Sequence, residues 1–276
     1  MTSQFVDDTP SLLTRCSELR NLLFEAGPRP AAESRAAMDN QSFRRRTNSS
    51  EVSERVIVCC DYWTIVTANQ LRSLATLIEV DGPGFAIYPI MRAIIEHSAW
   101  LCWMLDENCS ALERISRANL AFLNTAKGRV AAALLAYGSE SELHGIAMDD
   151  YDKYLHEMNH TFTDVQVGRN MSIEGQRLPT ATGVIAHMGS IMGNENRWKG
   201  VYKVLCQMAN HPTLSVTEVI SLDHGQTLSI RISPETLSQN VLATLNPYLW
   251  SLNYVCAYLG WPTKPLDDLF DEFEKM

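Results

Sequence analysis

The most apolar stretch of the chain, residues 85–105, contains Arg92, Glu96 and His97 near its middle. The stretch approaches the length of a membrane span, but each of these charges would be costly in lipid. It is apolar on nearly every side of a helix, which is typical of a helix that other helices surround. The sequence therefore predicts a central, buried helix in a protein that does not enter the membrane.

The charged residues of this helix predict a polar cluster inside the protein. Arg92 and Glu96 are four residues apart and are neighbours on one helix face, where burying either charge alone would be expensive. We therefore expect a buried ion pair with further partners from Tyr202, on a later helix, or His211, at the end of that helix. His97 lies about 140° around an ideal helix from Arg92, so a shared face would need a bend or a second chain. These five residues are the candidate site.

Hydrophobic periodicity and helix-start and helix-stop residues divide most of the chain into helices. Helices are predicted over about 11–26, 51–80, 85–106, 111–137, 140–159, 180–192, 198–210 and 233–260. Residues 161–178 show no clear period and are predicted to form a loop or a short irregular excursion, while β-branched residues predict a small β-hairpin at 216–232. The fold class is therefore mainly α, a single helical bundle with one small hairpin.

Residues 28–49 differ from the rest of the chain in composition. They are rich in Pro, Ala, Ser, Arg and Asn and lack apolar periodicity, which is typical of a flexible tether. Their basic run, Arg44-Arg45-Arg46, is expected to be solvated. We therefore expect residues 1–49 to form an N-terminal helix and tether, and residues 50–276 to form the bundle domain.

The net charge and the cysteine content of the chain limit the binding functions and cellular locations that we expect for it. The chain of 276 residues has a formal net charge of -9, which disfavours nonspecific binding to nucleic acid or anionic lipid. Its seven cysteines have no metal-site spacing and indicate a reducing compartment, and the N-terminus lacks a signal peptide, so a cytoplasmic protein is expected. Phosphate-loop, dinucleotide and Gly-x-Ser-x-Gly motifs are missing from the sequence, and no cofactor is expected.

A literal HExxH motif occurs at His156-Glu157-Met158-Asn159-His160. On a helix its two histidines share a face and can bind zinc, while the glutamate activates water. The acidic sequence before the motif indicates an exposed helix end, and no third ligand is legible. We therefore expect no metal there; His156, Glu157 and His160 are the candidate ligands and base if one binds.

Three short motifs follow one another along residues 50–260: they are Arg92-x3-Glu96, Leu178-Pro179-Thr180, and Tyr202-x2-Leu205 running to His211-Pro212. Together they resemble an uncharacterised group of bacterial all-helical proteins. That group is similar to the HEPN superfamily of helical bundles, many of which belong to defence and toxin–antitoxin systems.

The resemblance implies a metal-independent ribonuclease site. In nuclease members of the superfamily an Arg followed after four to six residues by His supplies the site, usually across a dimer. Here Arg92 and His97 meet that spacing at its lower limit, whereas the often polar position after the Arg is Ala93. Such a site would use His97 as the proton acceptor at the 2′-hydroxyl and Arg92 as the cation at the phosphate.

Three functions follow from these patterns, in this order. The first is a regulatory protein, or a ligand-binding or partner-binding protein, whose Arg/Glu/His cluster is structural or binds a small ligand. The second is the HEPN-like ribonuclease, for which RNA would be the partner. The third is an HExxH zinc hydrolase. A homodimer is compatible with the first and is implied by the resemblance for the second.

Overall fold

The computed structural model describes residues 3–25, 30–47, 51–80, 86–168, 170–210, 220–222, 228–230 and 232–273. Within these ranges the protein is mainly α-helical, which confirms the predicted fold class. None of the helices in them is long and apolar enough to cross a membrane.

The elements are numbered in chain order. The helices are α1 (Ser3–Phe24), α2 (Arg35–Thr47), α3 (Glu51–Glu79), α4 (Ile87–Met104), α5 (Ala111–Tyr137), α6 (Glu142–Thr161), α7 (Ala181–Ile191), α8 (Glu195–Asn210), α9 (Pro234–Leu259) and α10 (Lys264–Phe273). The strands are β1 (Val165–Gln166), β2 (Ser172–Ile173), β3 (Gln176–Arg177), β4 (Ile220–Leu222) and β5 (Leu228–Ile230).

The chain forms two compact units, each assembled from separate segments. Unit 1 comprises Met1–Ser34, Cys60–Trp103 and Thr180–Met276, and unit 2 comprises Arg35–Cys59 and Met104–Pro179. This division differs from the boundary expected at residue 49. It arises because α2 packs on α5, which is distant in sequence, and because α3 contributes its first residues to unit 2 and the remainder to unit 1.

Unit 1 is built around α9, which has buried side chains along most of its length. Helix α1 packs against α9 and α10, and the hydroxyl of Tyr248 donates to the carbonyl of Cys16 at 3.2 Å. Phe24 and Trp261 meet edge to face with ring centroids 4.0 Å apart. Helices α7 and α8 form a second packed pair, and α4 also belongs to this unit. The helices that carry the predicted cluster are therefore in one unit.

Unit 2 is built on the antiparallel pair α5 and α6, with α2 packed against α5. Helix α5 begins with a capping box, in which Ser110 and Glu113 satisfy each other's backbone N–H groups. The predicted tether is wrong over α2, whose Ala36, Asp39 and Phe43 are buried. The physical reason is that α2 buries only two apolar side chains, with the buried carboxylate of Asp39 between them, so a periodicity argument does not detect it.

Of the two predictions that concern β structure, one is confirmed and one is wrong. The predicted hairpin is confirmed, since β4 and β5 pair antiparallel, although Asp223, His224 and Gly225 lie outside the described residues. Residues 161–178, predicted to be a loop, contain a small antiparallel sheet of order β1-β2-β3. Its segment is fastened by Glu174, whose carboxylate accepts from the backbone N–H of Thr163 at 2.6 Å and from its hydroxyl at 2.9 Å. Because this contact is made by polar groups, hydrophobic periodicity in the sequence does not predict it.

Candidate functional site

Helix α4 supplies the centre of the candidate site. Its face with Met91, Ile94 and Ile95 is fully buried, as the apolar stretch predicts. Arg92 and Glu96 lie one turn apart on a less buried stripe of the same helix. The apolar residues therefore take the core-facing positions, and the charged pair lies at the margin of the core.

The ion pair between Arg92 and Glu96 is loose and partly open to solvent. Its Nε and Oε2 atoms are 3.9 Å apart, and the side chains retain 34% and 28% of their exposure. The expectation that this pair is buried is wrong. It assumed that other helices surround α4 on every side, whereas one stripe of α4 is partly open to solvent. At 3.9 Å the contact is longer than a hydrogen bond, so Arg92 is not committed to Glu96.

Tyr202 of α8 completes the cluster, as predicted. It is buried on the helix stripe that also carries Trp198 and Leu205. Its hydroxyl donates to Oε2 of Glu96 at 2.9 Å, and the guanidinium carbon of Arg92 lies 5.8 Å from the centre of its ring. Residues 110 positions apart in the sequence thus meet in unit 1. His211, the other predicted partner, lies outside the described residues.

The protonation states of Arg92 and Tyr202 are fixed near neutral pH. A hydrogen bond with Tyr202 raises the pKa of Arg92, and burial raises the pKa of Tyr202 to about 12. Arg92 therefore stays cationic, and Tyr202 stays a protonated donor. Neither side chain can accept a proton near neutral pH, so this pair is suited to holding charge rather than to acid–base catalysis.

His97 contacts a polar side chain of α3. Its Nδ1 lies 3.2 Å from Oε1 of Gln70, and burial lowers its pKa, while Glu96 acts in the opposite direction. The structure brings Arg92, Glu96 and Tyr202 together and gives His97 this separate partner. Sequence reasoning missed Gln70, and nothing in the surrounding polar residues of α3 marks it out.

A second polar cluster, also missed from the sequence, is centred on Arg55 in unit 2. Arg55 donates to Oδ1 of Asn119 at 2.6 Å and to the carboxylate of Glu157. Its guanidinium lies 4.9 Å from the ring centre of Tyr154 and 5.5 Å from that of Phe122, within the range of cation–π contacts. The cation is thus enclosed by a carboxylate, an amide and two rings.

This second cluster bears directly on the HExxH motif. His156 and His160 do share a face of α6, with ring centroids 4.2 Å apart. Glu157, the residue that would activate water, is instead the ion-pair partner of Arg55. In the described part of the chain, no three His, Cys, Asp or Glu side chains are grouped so that they could hold a metal ion. The arrangement gives a zinc hydrolase no support.

Among the described residues, the most deeply buried charge pair links Arg114 of α5 to Asp39 of α2. The guanidinium donates from Nε to Oδ2 at 2.8 Å and from a terminal nitrogen to Oδ1 at 3.1 Å. The side chains keep only 1% and 7% of their exposure, and Arg114 also donates to the carbonyl of Cys109. This enclosed pair has no opening for a ligand and fastens α2 to the unit.

Comparison of the chain with protein-family models, with curated proteins and with solved structures finds no match. The resemblance to the HEPN superfamily therefore stays a prediction that rests on the three short motifs.

Proposed function

We propose that the protein is a non-catalytic ligand-binding protein of the cytoplasm, and that the cluster of Arg92, Glu96 and Tyr202 binds the ligand. The observation that carries this proposal is the loose, solvent-reachable ion pair, with 3.9 Å between its charged atoms. A pair that served only to hold helices together gains most when it is enclosed and bidentate, as Arg114 and Asp39 are. Arg92 and Glu96 have neither property.

The charges of the cluster favour an oxyanion, the group shared by carboxylates and phosphates. Arg92 stays cationic, and its guanidinium has five donors, more than Glu96 and Tyr202 take up. Glu96 opposes an anion, but its Oε2 accepts from the Tyr202 hydroxyl and is held by α8. An oxyanion can therefore replace the distant carboxylate at Arg92 while the bond between Tyr202 and Glu96 remains.

The test is ligand-induced stabilisation with inorganic phosphate and acetate as probes, at constant ionic strength set by chloride. Binding at ten times the dissociation constant should stabilise the fold by about 1.4 kcal/mol. Arg92→Gln should abolish this shift, and Glu96→Gln should increase the affinity by removing the opposing charge. Arg129→Gln is the matched control, because Arg129 is an exposed arginine of unit 2 with a contact of only 4.0 Å to Asp150.

Failure would take one of two forms. If neither probe stabilises the wild-type chain, the cluster does not bind oxyanions. If phosphate stabilises Arg92→Gln as much as the wild type, the anion binds elsewhere and the assignment to Arg92 is wrong.

A metal-independent ribonuclease is the second candidate, and the surroundings of His97 favour it. When Nδ1 donates to Gln70, Nε2 is left as an acceptor, and the lowered pKa keeps the ring neutral near pH 7. A neutral imidazole is the form that can take a proton from a 2′-hydroxyl. The orientation of Arg92 towards Tyr202 places this candidate second.

Cleavage of a labelled single-stranded RNA in the presence of EDTA tests the ribonuclease. Activity that is lost in His97→Ala and kept in His160→Ala would establish it and replace the non-catalytic proposal. Absence of cleavage by the wild-type chain would eliminate it. Cleavage abolished by EDTA or by His160→Ala would instead point to the HExxH motif.

A further inference from the structure

The outer part of the α5–α6 pair, residues 127–157, is an arm without a core of its own. Every residue in this range is described, and none of them is buried. Large apolar side chains on the arm are exposed: Leu134 by 45%, Leu135 by 88%, Tyr137 by 61%, Leu143 by 51% and Ile146 by 51%. Alanines at positions 131, 132 and 136 of α5 are also exposed.

Two helices alone cannot bury the apolar residues that face away from their shared seam. Single exposed apolar residues are ordinary, but contiguous patches beyond a few hundred Å² mark interaction surfaces. The apolar residues of the arm lie on both of its helices, from Leu134 and Leu135 to Leu143 and Ile146. The arm therefore has the composition of half a helical bundle, with the other half unfilled.

The charges of the arm are separated between its two helices. Residues 127–137 of α5 contain two basic residues and no acidic one, whereas residues 140–153 contain five acidic residues and one basic residue. Within the chain, Arg129 and Asp150 approach only to 4.0 Å, and both side chains are more than half exposed. A surface that is basic on one helix and acidic on the other is complementary to itself under two-fold rotation.

From this arrangement we propose that the arm is a homodimerisation surface, in which the arms of two copies pack into a four-helix bundle. Each α5 lies beside the partner's α6, so that its basic residues face the acidic helix and its apolar residues close the core. The surface lies in unit 2, whereas the residues of the proposed ligand site belong to unit 1.

Sedimentation velocity of the full chain over a range of concentrations tests the proposal. The wild-type chain should be a dimer, and Leu135→Glu should raise its dissociation constant by at least about 30-fold, as loss of an interface hot spot does. Leu135 is 88% exposed and buries almost nothing within one copy, so helix content and thermal stability of the monomer should be unchanged. Met38→Glu on α2 is the matched control, since Met38 is a 58% exposed residue of the same unit outside the arm.

Higher salt should also weaken the dimer, because the charge complementarity would be screened. A wild-type chain that is monomeric at about 100 µM, a concentration at which stable interfaces are saturated, would overturn the proposal. So would a dimer that Leu135→Glu leaves intact, which would place the interface elsewhere. A monomer that associates only with a different protein through the arm would show that the surface is real and its occupant wrongly assigned.

Discussion

Removal of the Asp39 carboxylate should be among the most damaging single changes in unit 2. Asp39 is the partner of Arg114, a guanidinium that keeps 1% of its exposure. Asp39→Ala would leave that cation in place without its counter-charge. Because α2 buries only two apolar side chains, Ala36 and Phe43, we expect its docking on α5 to depend strongly on this pair.

The magnitude follows from the geometry of the pair. Asp39 accepts two hydrogen bonds from Arg114, at 2.8 and 3.1 Å, and a bond to a charged group contributes about 1.5–3 kcal/mol. Arg114 keeps a bond to the carbonyl of Cys109, which limits the damage. Breaking a buried pair from one side typically costs about 3–5 kcal/mol, and we expect Asp39→Ala to lie in that range.

Urea unfolding followed by far-UV circular dichroism measures the loss, and hydrogen exchange of the α2 amides shows whether that helix is released first. Asp150→Ala is the control, because its 4.0 Å contact with Arg129 is exposed and should contribute less than about 1 kcal/mol. The double variant Asp39→Leu/Arg114→Met should recover part of the lost stability by removing the stranded charge. If Asp39→Ala costs no more than Asp150→Ala, the pair does not anchor α2.

Two further substitutions should lower the free energy of unfolding measured in urea. Glu157→Gln should cost about 1.5–3 kcal/mol, because it takes the counter-charge from Arg55; one equivalent of zinc on the wild-type chain that is lost in His160→Ala would instead restore the HExxH interpretation. Gly260→Ala should cost about 1–3 kcal/mol, since its φ of 71° is left-handed and the new Cβ would lie 2.8 Å from Cβ of Ser34. Gly128→Ala, at an open helical position, should be neutral or stabilising, and equal losses at both glycines would contradict the argument.

Local signals in the sequence were sufficient for the helices that carry their own start and stop residues. The predicted helix over 111–137 coincides with α5, whose ends are Ser110 with Glu113 and Gly138. α9 likewise begins with Ser233 and Pro234 and ends at Gly260. Caps act within one turn of the chain, so a single sequence contains all the information needed to place them.

Interactions between distant segments could not be read in the same way. α2 was missed because one of its anchors, Asp39, has its partner 75 residues away in Arg114. α10 was also missed, although Leu266 and Leu269 are buried three residues apart. That spacing is a legible signal, but in so short a helix it is weak evidence beside Pro262 and Pro265.

The candidate site shows how far residue pairing can be inferred and where it stops. The donor capacity of Arg92 and the acceptor capacity of Glu96 required outside partners, and this reasoning led to Tyr202, which the structure places at Glu96. The depth of the pair was predicted wrongly. An apolar surrounding sequence shows that a helix is buried but does not show which of its stripes faces the margin of the core.

The pH dependence of stability isolates the environment of His97. Its pKa in the folded protein is lowered by burial, with Glu96 on the same helix acting in the opposite direction, whereas the unfolded chain has the ordinary value of about 6.5. Above that value the ring is neutral in both states and contributes no difference. As the pH falls below it, the unfolded chain takes up the proton first, so the free energy of unfolding decreases until the folded pKa is reached.

His97→Gln removes this titration while it keeps an amide that can bond Gln70. The free energy of unfolding of the wild-type chain should therefore fall more steeply between about pH 7 and pH 5 than that of the variant, with the difference vanishing above pH 7. Other histidines titrate equally in both proteins and cancel in the comparison. Parallel pH profiles would mean that His97 is solvated in solution, and a steeper fall in the variant would mean that Glu96 outweighs burial and raises the pKa. A raised pKa would also remove the neutral imidazole on which the ribonuclease candidate depends.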